Sequence, residues 1–427
     1  MIWMAQLKRL RLGSTPVEGD AAALVALERP EEREGREPVY YDQLQDAEPK
    51  GTGSPPLASV LWRRAREVSL PLRVTPVAEQ VARVESRAVG PAGTGKKFIN
   101  DPDTLVRESL AGFGAAYSEL VRVDLDRRLV LRAGAPTTGK VGMISGGGSG
   151  HEPLDIGYVG PGMLDGACVG EIFTSPAPGQ IFAATEAVDG GAGVVYVVKN
   201  YTGDVMNFRM AADLAGQAGI PVEIVFVADD VAISTSGRTA GRRGTGVTPL
   251  VEKIAGAMAT SGHSLAEVAT LARKVNEQGR SFGVALEACV TPSLGGRTFE
   301  LRSDEIEFGV GIHGERGRRR EKLAPVAKIV DAMLDEILDD LRPSRGSPLL
   351  AFVNGFGATP LIELYVAYNE LSQRLADRGY PIARSLVGNY VTSLDMAGMS
   401  ITVLVLDEEL MRFWDAPVQT AGFRWGR

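Results

Sequence analysis

The 427-residue chain has little of what holds metals or staples folds: three histidines and two cysteines, Cys168 and Cys289. Two thiols do not build a disulfide framework, and with so few histidines they do not complete a zinc site of the usual stoichiometry. Positive charge is not in excess either. With 46 Lys+Arg against 53 Asp+Glu the formal net charge is -7, so nucleic-acid binding driven by a basic field is not expected. Long apolar runs are missing: none reaches the roughly 18 residues of a bilayer span, and the N-terminus lacks the apolar stretch of a secretory signal. A cytoplasmic, reduced setting without a membrane partner is therefore expected. Glycine is plentiful at 51 residues, in an otherwise ordinary globular composition of 44% hydrophobic and 23% charged residues. The length suggests two or three domains.

Charge is unevenly distributed. Residues 1–95 carry 13 basic and 13 acidic groups, which leaves 33 and 40 downstream, so the whole net charge lies after residue 95. The first stretch also holds the mixed-charge run Glu28–Glu37 and a Pro/Gly cluster at 49–56, with only 21–27 and 57–68 faintly helical. It reads as a low-order extension, with an alternative start near Val89 as a second explanation. Beyond it, short β-branched runs such as Gly193–Val198, Pro221–Val227 and Leu349–Val353 alternate with helical patterns such as 207–219 and 359–379. That alternation predicts an α/β fold with mainly parallel sheets, in two lobes of about 96–280 and 281–427. In such sheets ligands sit beyond the carboxyl ends of the strands.

Two glycine-rich stretches resemble nucleotide loops and fail as such. Gly90-Pro-Ala-Gly-Thr-Gly-Lys-Lys97 puts Lys97 where a phosphate loop needs a Ser or Thr for magnesium. Ser145-Gly-Gly-Gly-Ser-Gly-His-Glu-Pro153 follows a good strand, but His151 stands at the sixth position, where a dinucleotide fingerprint has glycine. The second stretch remains a turn whose exposed backbone N–H groups surround an imidazole, suited to a small polar molecule.

Three histidines make the search for chemistry short. His263 precedes Ser264 and Glu267, which have capping-box spacing, and reads as a solvent-facing residue before a helix. His151 and His313 each follow a strand-like run among glycines, which leaves the rings accessible; each is either a reactive group or a structural hydrogen-bonding histidine. A third cluster, Lys199-Asn-Tyr-Thr-Gly-Asp204, sits between a strand and a helix. Asp204 either caps that helix or accepts a proton from a substrate hydroxyl, and Lys199 leaves a Schiff-base route open. Arg242 and Arg243 offer phosphate contacts or a salt-bridged pair.

Eight stretches, in order, resemble the dihydroxyacetone kinase K subunit. They are Lys96–Asp101, Ser145–Pro153, Gly160–Leu164, Glu171–Pro176, Lys199–Asp204, Gly309–Glu315, Thr392–Gly398 and Arg424–Arg427. The resemblance implies phosphorylation of a three-carbon ketone on a terminal hydroxyl. It implies that His313 bonds covalently to the carbonyl carbon as a hemiaminal, and that His151 and Asp204 assist at the hydroxyls. It makes Gly148, Ser149, Gly150 and Lys199 substrate contacts, with Ser175 lining the pocket and no metal ligand on the chain. A hemiaminal would select ketones and aldehydes over polyols, which hydrogen bonds alone discriminate poorly. Schiff-base chemistry at Lys199 loses ground, since it does not account for two glycine-flanked histidines. No cofactor is expected on this chain: ATP or ADP with magnesium would be carried by a partner L subunit, and a phosphocarrier M subunit is a further expected partner. A homodimer is also implied. A kinase for erythrulose and a ligand-sensing coactivator are the alternatives.

Overall fold

The computed structural model describes residues 97–233, 241–293 and 295–426. The low-order extension expected over residues 1–95, the start near Val89 and all of the Gly90–Lys97 stretch except Lys97 lie outside the described residues.

The main strands form two six-stranded sheets. After helix α1 (Leu105–Ala116) come β1 (Val121–Asp124), β2 (Leu129–Arg132), β3 (Gly142–Ser149), β4 (Gly166–Ile172), α2 (Pro178–Val188), β5 (Val194–Lys199), α3 (Thr202–Gln217) and β6 (Val222–Val227). The first sheet has the order β1-β2-β4-β3-β5-β6. Crossovers through residues 150–165, α2 and α3 bring the chain back in the same direction each time, so β4-β3-β5-β6 are parallel. Helices α4 (Thr248–Thr260) and α5 (Leu265–Gln278) lead on to β7 (Gly279–Glu287), the short pair β8 (Val290–Thr291) and β9 (Gly296–Arg297), β10 (Glu305–Phe308) and β11 (Arg319–Lys322). They are followed by α6 (Val326–Leu341), β12 (Leu349–Gly355), α7 (Leu361–Asp377), β13 (Ile382–Gly388) and β14 (Ala397–Val405). The second sheet has the order β11-β10-β7-β14-β12-β13. Helix α8 (Glu408–Asp415) and the pair β15 (Val418–Gln419) and β16 (Arg424–Trp425) complete the described chain.

The α/β class read from the sequence holds, with more mixed pairing than the mainly parallel arrangement expected. In the second sheet β12 and β13 run parallel while its other pairings are antiparallel. The cause is connection length: residues 389–396 between β13 and β14 are too few for a crossover helix, so β14 returns antiparallel between β12 and β7.

Side-chain alternation along the strands sorts the core into layers. In β5, Val195 and Val197 face one apolar cluster while Val194, Tyr196 and Val198 join Phe208 of α3 and Ile181 of α2 in another. In β12, Leu350 and Phe352 face the same cluster as Val195, while Leu349, Ala351 and Val353 pack with α6 and α7. The common cluster contains Leu250, Val251 and Ile254 of α4 and Val268, Leu271 and Val275 of α5. Helices α4 and α5 therefore lie between the two sheets, with the other helix pairs on the outer faces. The second sheet begins at Gly279, and the middle helices give both sheets a single core. Among the described residues no helix is long and apolar enough to cross a membrane.

Candidate active site

A cleft of about 430 Å³ opens beyond the carboxyl ends of β3, β4 and β5, where open parallel sheets place their ligands. Gly148 of β3, Phe173, Thr174 and Ser175 after β4, and Tyr201, Gly203, Asp204 and Asn207 at the start of α3 line it, together with His313 from the loop between β10 and β11. Gly148 is required there because a β-carbon would collide with the backbone of Phe173 and Thr174, which closes one wall. Phe173 itself sits at φ 55°, a left-handed conformation costing on the order of 1 kcal/mol for a bulky residue. That conformation lays its ring against His151, with centroids 5.0 Å apart.

The two glycine-flanked histidines meet. Their ring centroids are 4.8 Å apart at a steep angle, and Tyr201 packs its ring 4.3 Å from that of His313. His313 lines the cleft with its side chain 17% exposed, whereas His151 lies behind it at 1%. His151 Nδ1 is 2.8 Å from the Thr392 carbonyl, and its Nε2 is buried with no partner among the described residues. Burial, reinforced by His313, holds the His151 pKa well below 6.5, so the ring is neutral and Nδ1 donates to Thr392.

Asp204 stands in the first turn of α3, 2% exposed. The N-cap of that helix is Tyr201, without a side-chain cap bond, so the capping role open for Asp204 is not the one observed. One carboxylate oxygen, Oδ1, has no partner among the described residues, and Ser175 hydrogen-bonds to the group. Burial raises its pKa, with Lys199 opposing, which makes Asp204 a stronger base than an ordinary aspartate.

Lys199 does not line the cleft. Its ammonium is buried beneath the glycine turn, where it donates to the Gly146 carbonyl at 2.9 Å and to both Asp155 oxygens at 2.9 Å. All three N–H bonds are thus committed to protein acceptors in this structure, and the ammonium charge acts on Asp204. Burial works to lower the Lys199 pKa, but the carboxylates of Asp155 and Asp204 outweigh it and keep the amine charged. A charged, fully bonded amine is no Schiff-base nucleophile. Glu252 of α4 lies in the same buried group, with its pKa driven well up by burial and by Asp155. Ser149 likewise turns away, its hydroxyl donating to the Gly170 carbonyl at 2.8 Å, and the Gly150 N–H is taken by the Glu152 carboxylate at 3.1 Å.

Of the residues singled out in the sequence, the structure therefore brings Gly148, Ser175, Asp204 and His313 to the cleft, with His151 behind them. Phe173, Tyr201 and Asn207 lay within quoted stretches, yet no pattern marked them as wall residues. Arg243 adopts the salt-bridge option, 2.8 Å from Asp230 through Nε, and Arg242 pairs with Asp340. His263 is half-buried rather than solvent-facing, its Nδ1 3.2 Å from the Met258 carbonyl, while Ser264 and Glu267 form the expected capping box. Cys168 and Cys289 are free and buried. Among the described residues no group of three or more His, Cys, Asp or Glu is arranged to hold a metal ion.

Comparison with known proteins places these features in a family. The Dak1 domain model matches residues 111–422. The chain is 46% identical over 356 residues to the PEP-dependent dihydroxyacetone kinase, dihydroxyacetone-binding subunit DhaK of Escherichia coli, covering 78% of this chain and 100% of that protein. It is 41% identical over 330 residues to the D-erythrulose kinase of Mycolicibacterium smegmatis, covering 77% of this chain and 57% of that protein. Among solved structures, the dihydroxyacetone kinase operon co-activator Dha-DhaQ superposes with a TM-score of 0.69 at 32% identity, covering 73% of this chain and 96% of the other.

Proposed function

The chain belongs to the Dak1 domain family, and from that premise we infer that it is the dihydroxyacetone-binding subunit of a dihydroxyacetone kinase, a phosphotransferase acting on an alcohol group. Full coverage of a relative that is itself a subunit, at 46% identity, supports this assignment over the four-carbon-sugar kinase, 41% identical and covered over 57% of its length. The observation that carries the chemistry is the convergence of His313, His151 and Asp204 on one cleft. All three are present together, which favours a catalyst over a sensor.

We propose that His313 adds through a ring nitrogen to the ketone carbon of dihydroxyacetone, holding it as a hemiaminal. The terminal hydroxyl then lies toward Asp204, which takes its proton as the oxygen attacks phosphorus. A buried carboxylate with a raised pKa and a free oxygen suits that task, and such assistance is typically worth roughly 10² to 10⁴ in rate. His151, neutral and packed on His313, has an unpartnered Nε2 that can accept a hydrogen bond from the second hydroxyl. Gly148 and Ser175 complete the wall. Lys199 acts from beneath, by keeping the base in balance with its charge. The phosphoryl donor, ATP or an ADP recharged through a phosphocarrier M subunit, is carried with magnesium by an L-type subunit that docks on the open cleft. The subunit works as a homodimer in the cytoplasm.

The test is direct. With [2-¹³C]dihydroxyacetone, the ketone carbon signal should move to the tetrahedral range on binding, and His313→Ala should abolish that signal; an adduct that survives removes His313 from the mechanism. Mixing the protein with an L-type subunit and ATP, and separately with the phosphocarrier chain, identifies the donor. Erythrulose offered in competition decides between the three-carbon and four-carbon ketoses.

A further inference from the structure

Behind His313 lies a carboxylate that the reaction outlined above does not use. Glu315, two residues on, folds back over the same loop. Its Oε2 accepts the His313 backbone N–H at 2.9 Å, and its Oε1 is 3.5 Å from His313 Nδ1. One side chain thus holds both the backbone and the ring. Room for it is made at Gly311, where a β-carbon would collide with Glu315 Oε2 and lie 2.5 Å from Arg243 Nη1. Arg243 is itself fixed, 2.8 Å from Asp230 through Nε and 2.8 Å from the Gly309 carbonyl through Nη2. Tyr201 and Phe173 meet the imidazole edge-on, with ring centroids 4.3 Å and 5.3 Å away, and the ring remains open to the cleft.

We infer that Glu315 is a positioning residue for His313. It fixes the ring in the tautomer protonated at Nδ1, so that Nε2 carries the lone pair, and it balances the charge that the ring gains on reaction. The inference rests on the reading of His313 as the nucleophile. In the step concerned, Nε2 donates its lone pair to the ketone carbon, the C=O π pair moves to oxygen, and that oxygen takes up a proton from water. The ring, still protonated at Nδ1, is then cationic and faces an anion; release of the Nδ1 proton to water gives the neutral adduct, with no net gain or loss of protons. A carboxylate oriented on an imidazole in this way stabilises the imidazolium form as it develops. Glu315 is ionised for the purpose: burial would raise its pKa, but contact with His313 and the charge of Arg243 hold it at about 2.

The test uses the full chain with ¹⁵N-labelled histidine rings. His313 should show the Nδ1–H pattern in the ligand-free protein, and Glu315→Gln, which keeps an oxygen acceptor but loses the charge, should shift it toward a mixture. Carboxylates that orient a metal-ligating histidine are typically worth about 10-fold to 100-fold, and the [2-¹³C]dihydroxyacetone adduct should weaken by a factor of the same order in the variant. An Nε2–H tautomer in the wild-type protein overturns the inference without any variant, as does an unchanged tautomer and adduct in a folded Glu315→Gln protein. If the wild-type protein forms no adduct, the nucleophile reading fails on its own, and the tautomer in the ligand-free protein still decides whether Glu315 sets the ring.

Discussion

His151 and His313 occupy turns of the same kind, each a histidine among glycines after a strand, and their rings touch. Their surroundings differ. The turn after β3 is sealed: His151 is buried and neutral, bonded to a carbonyl contributed by the loop before β14, and the lysine beneath it has spent every donor on Asp155 and Gly146. The loop after β10 is open on one side, and its histidine faces an ionised carboxylate instead of a carbonyl. Identical side chains thus acquire different chemistry from what stands behind them. The closed turn gives an uncharged wall; the open loop gives an accessible imidazole with a counter-charge beside it.

The contrast can be broken most severely at the open loop. His313→Ala should remove the adduct and lower turnover with the partner subunit on the order of 10⁴-fold, the scale seen when a catalytic unit loses a member; a smaller loss than that of any sealed-turn variant would reverse the assignment of roles. Next comes Asp204→Asn, at the meeting of the two regions. The ¹³C adduct should persist while turnover falls by roughly 10² to 10⁴, and loss of the adduct would show that Asp204 acts in binding rather than in proton removal.

In the sealed region the expected effects are on folding. Lys199→Met leaves the Asp155 carboxylate buried without its partner, a change that costs about 3–5 kcal/mol, measurable as a lowered urea midpoint; Lys199→Met combined with Asp155→Asn should recover much of it. If the single variant keeps wild-type stability but loses adduct formation, Lys199 contacts substrate after all.

The smallest effect sharpens the description of His151. Its folded pKa lies well below 6.5, so beneath that pH the unfolded chain binds a proton that the folded chain does not, and stability falls as pH falls. Between pH 6 and 5 this one group contributes about 1 kcal/mol of loss. His151→Gln should flatten the stability profile by that amount, other titrating groups such as Asp230 being common to both proteins. Equal slopes would mean that His151 is protonated in the folded state.

The parts of this molecule that repeat or alternate were readable from the chain alone. β5 and β12 appear as short apolar runs because both of their faces are covered, and the motif residues His151, Asp204 and His313 stand beyond strand ends where ligands collect. The antiparallel return of β14 was not readable, because it depends on the length of a connection whose ends a pattern does not locate. Nor was the role of Lys199, which is set by Asp155, 44 residues distant, through a contact that leaves no periodic trace. Helix α4 is the clearest case: Glu252 and Lys253 look like solvated positions in the sequence and are fully buried in the structure, because Glu252 faces Asp155 and Lys199 at the first sheet while Lys253 is covered by α8, donating to the Phe413 carbonyl at 2.7 Å. Tyr201 and Phe173 are chosen by shape around two imidazoles, and shape is not written in one dimension.

The middle layer formed by α4 and α5 has a mechanical consequence. Since its residues fill the space between both sheets, neither sheet keeps a closed apolar surface without the other. The cleft takes one wall from each side of that layer, and a molecule bridging His313 and Asp204 ties the two halves across their open end. Occupancy should then propagate as a global increase in resistance to unfolding, on the scale of RT ln(1 + [L]/Kd), rather than as the local ordering of one loop. A catalytic subunit built in this way registers its substrate throughout its whole body.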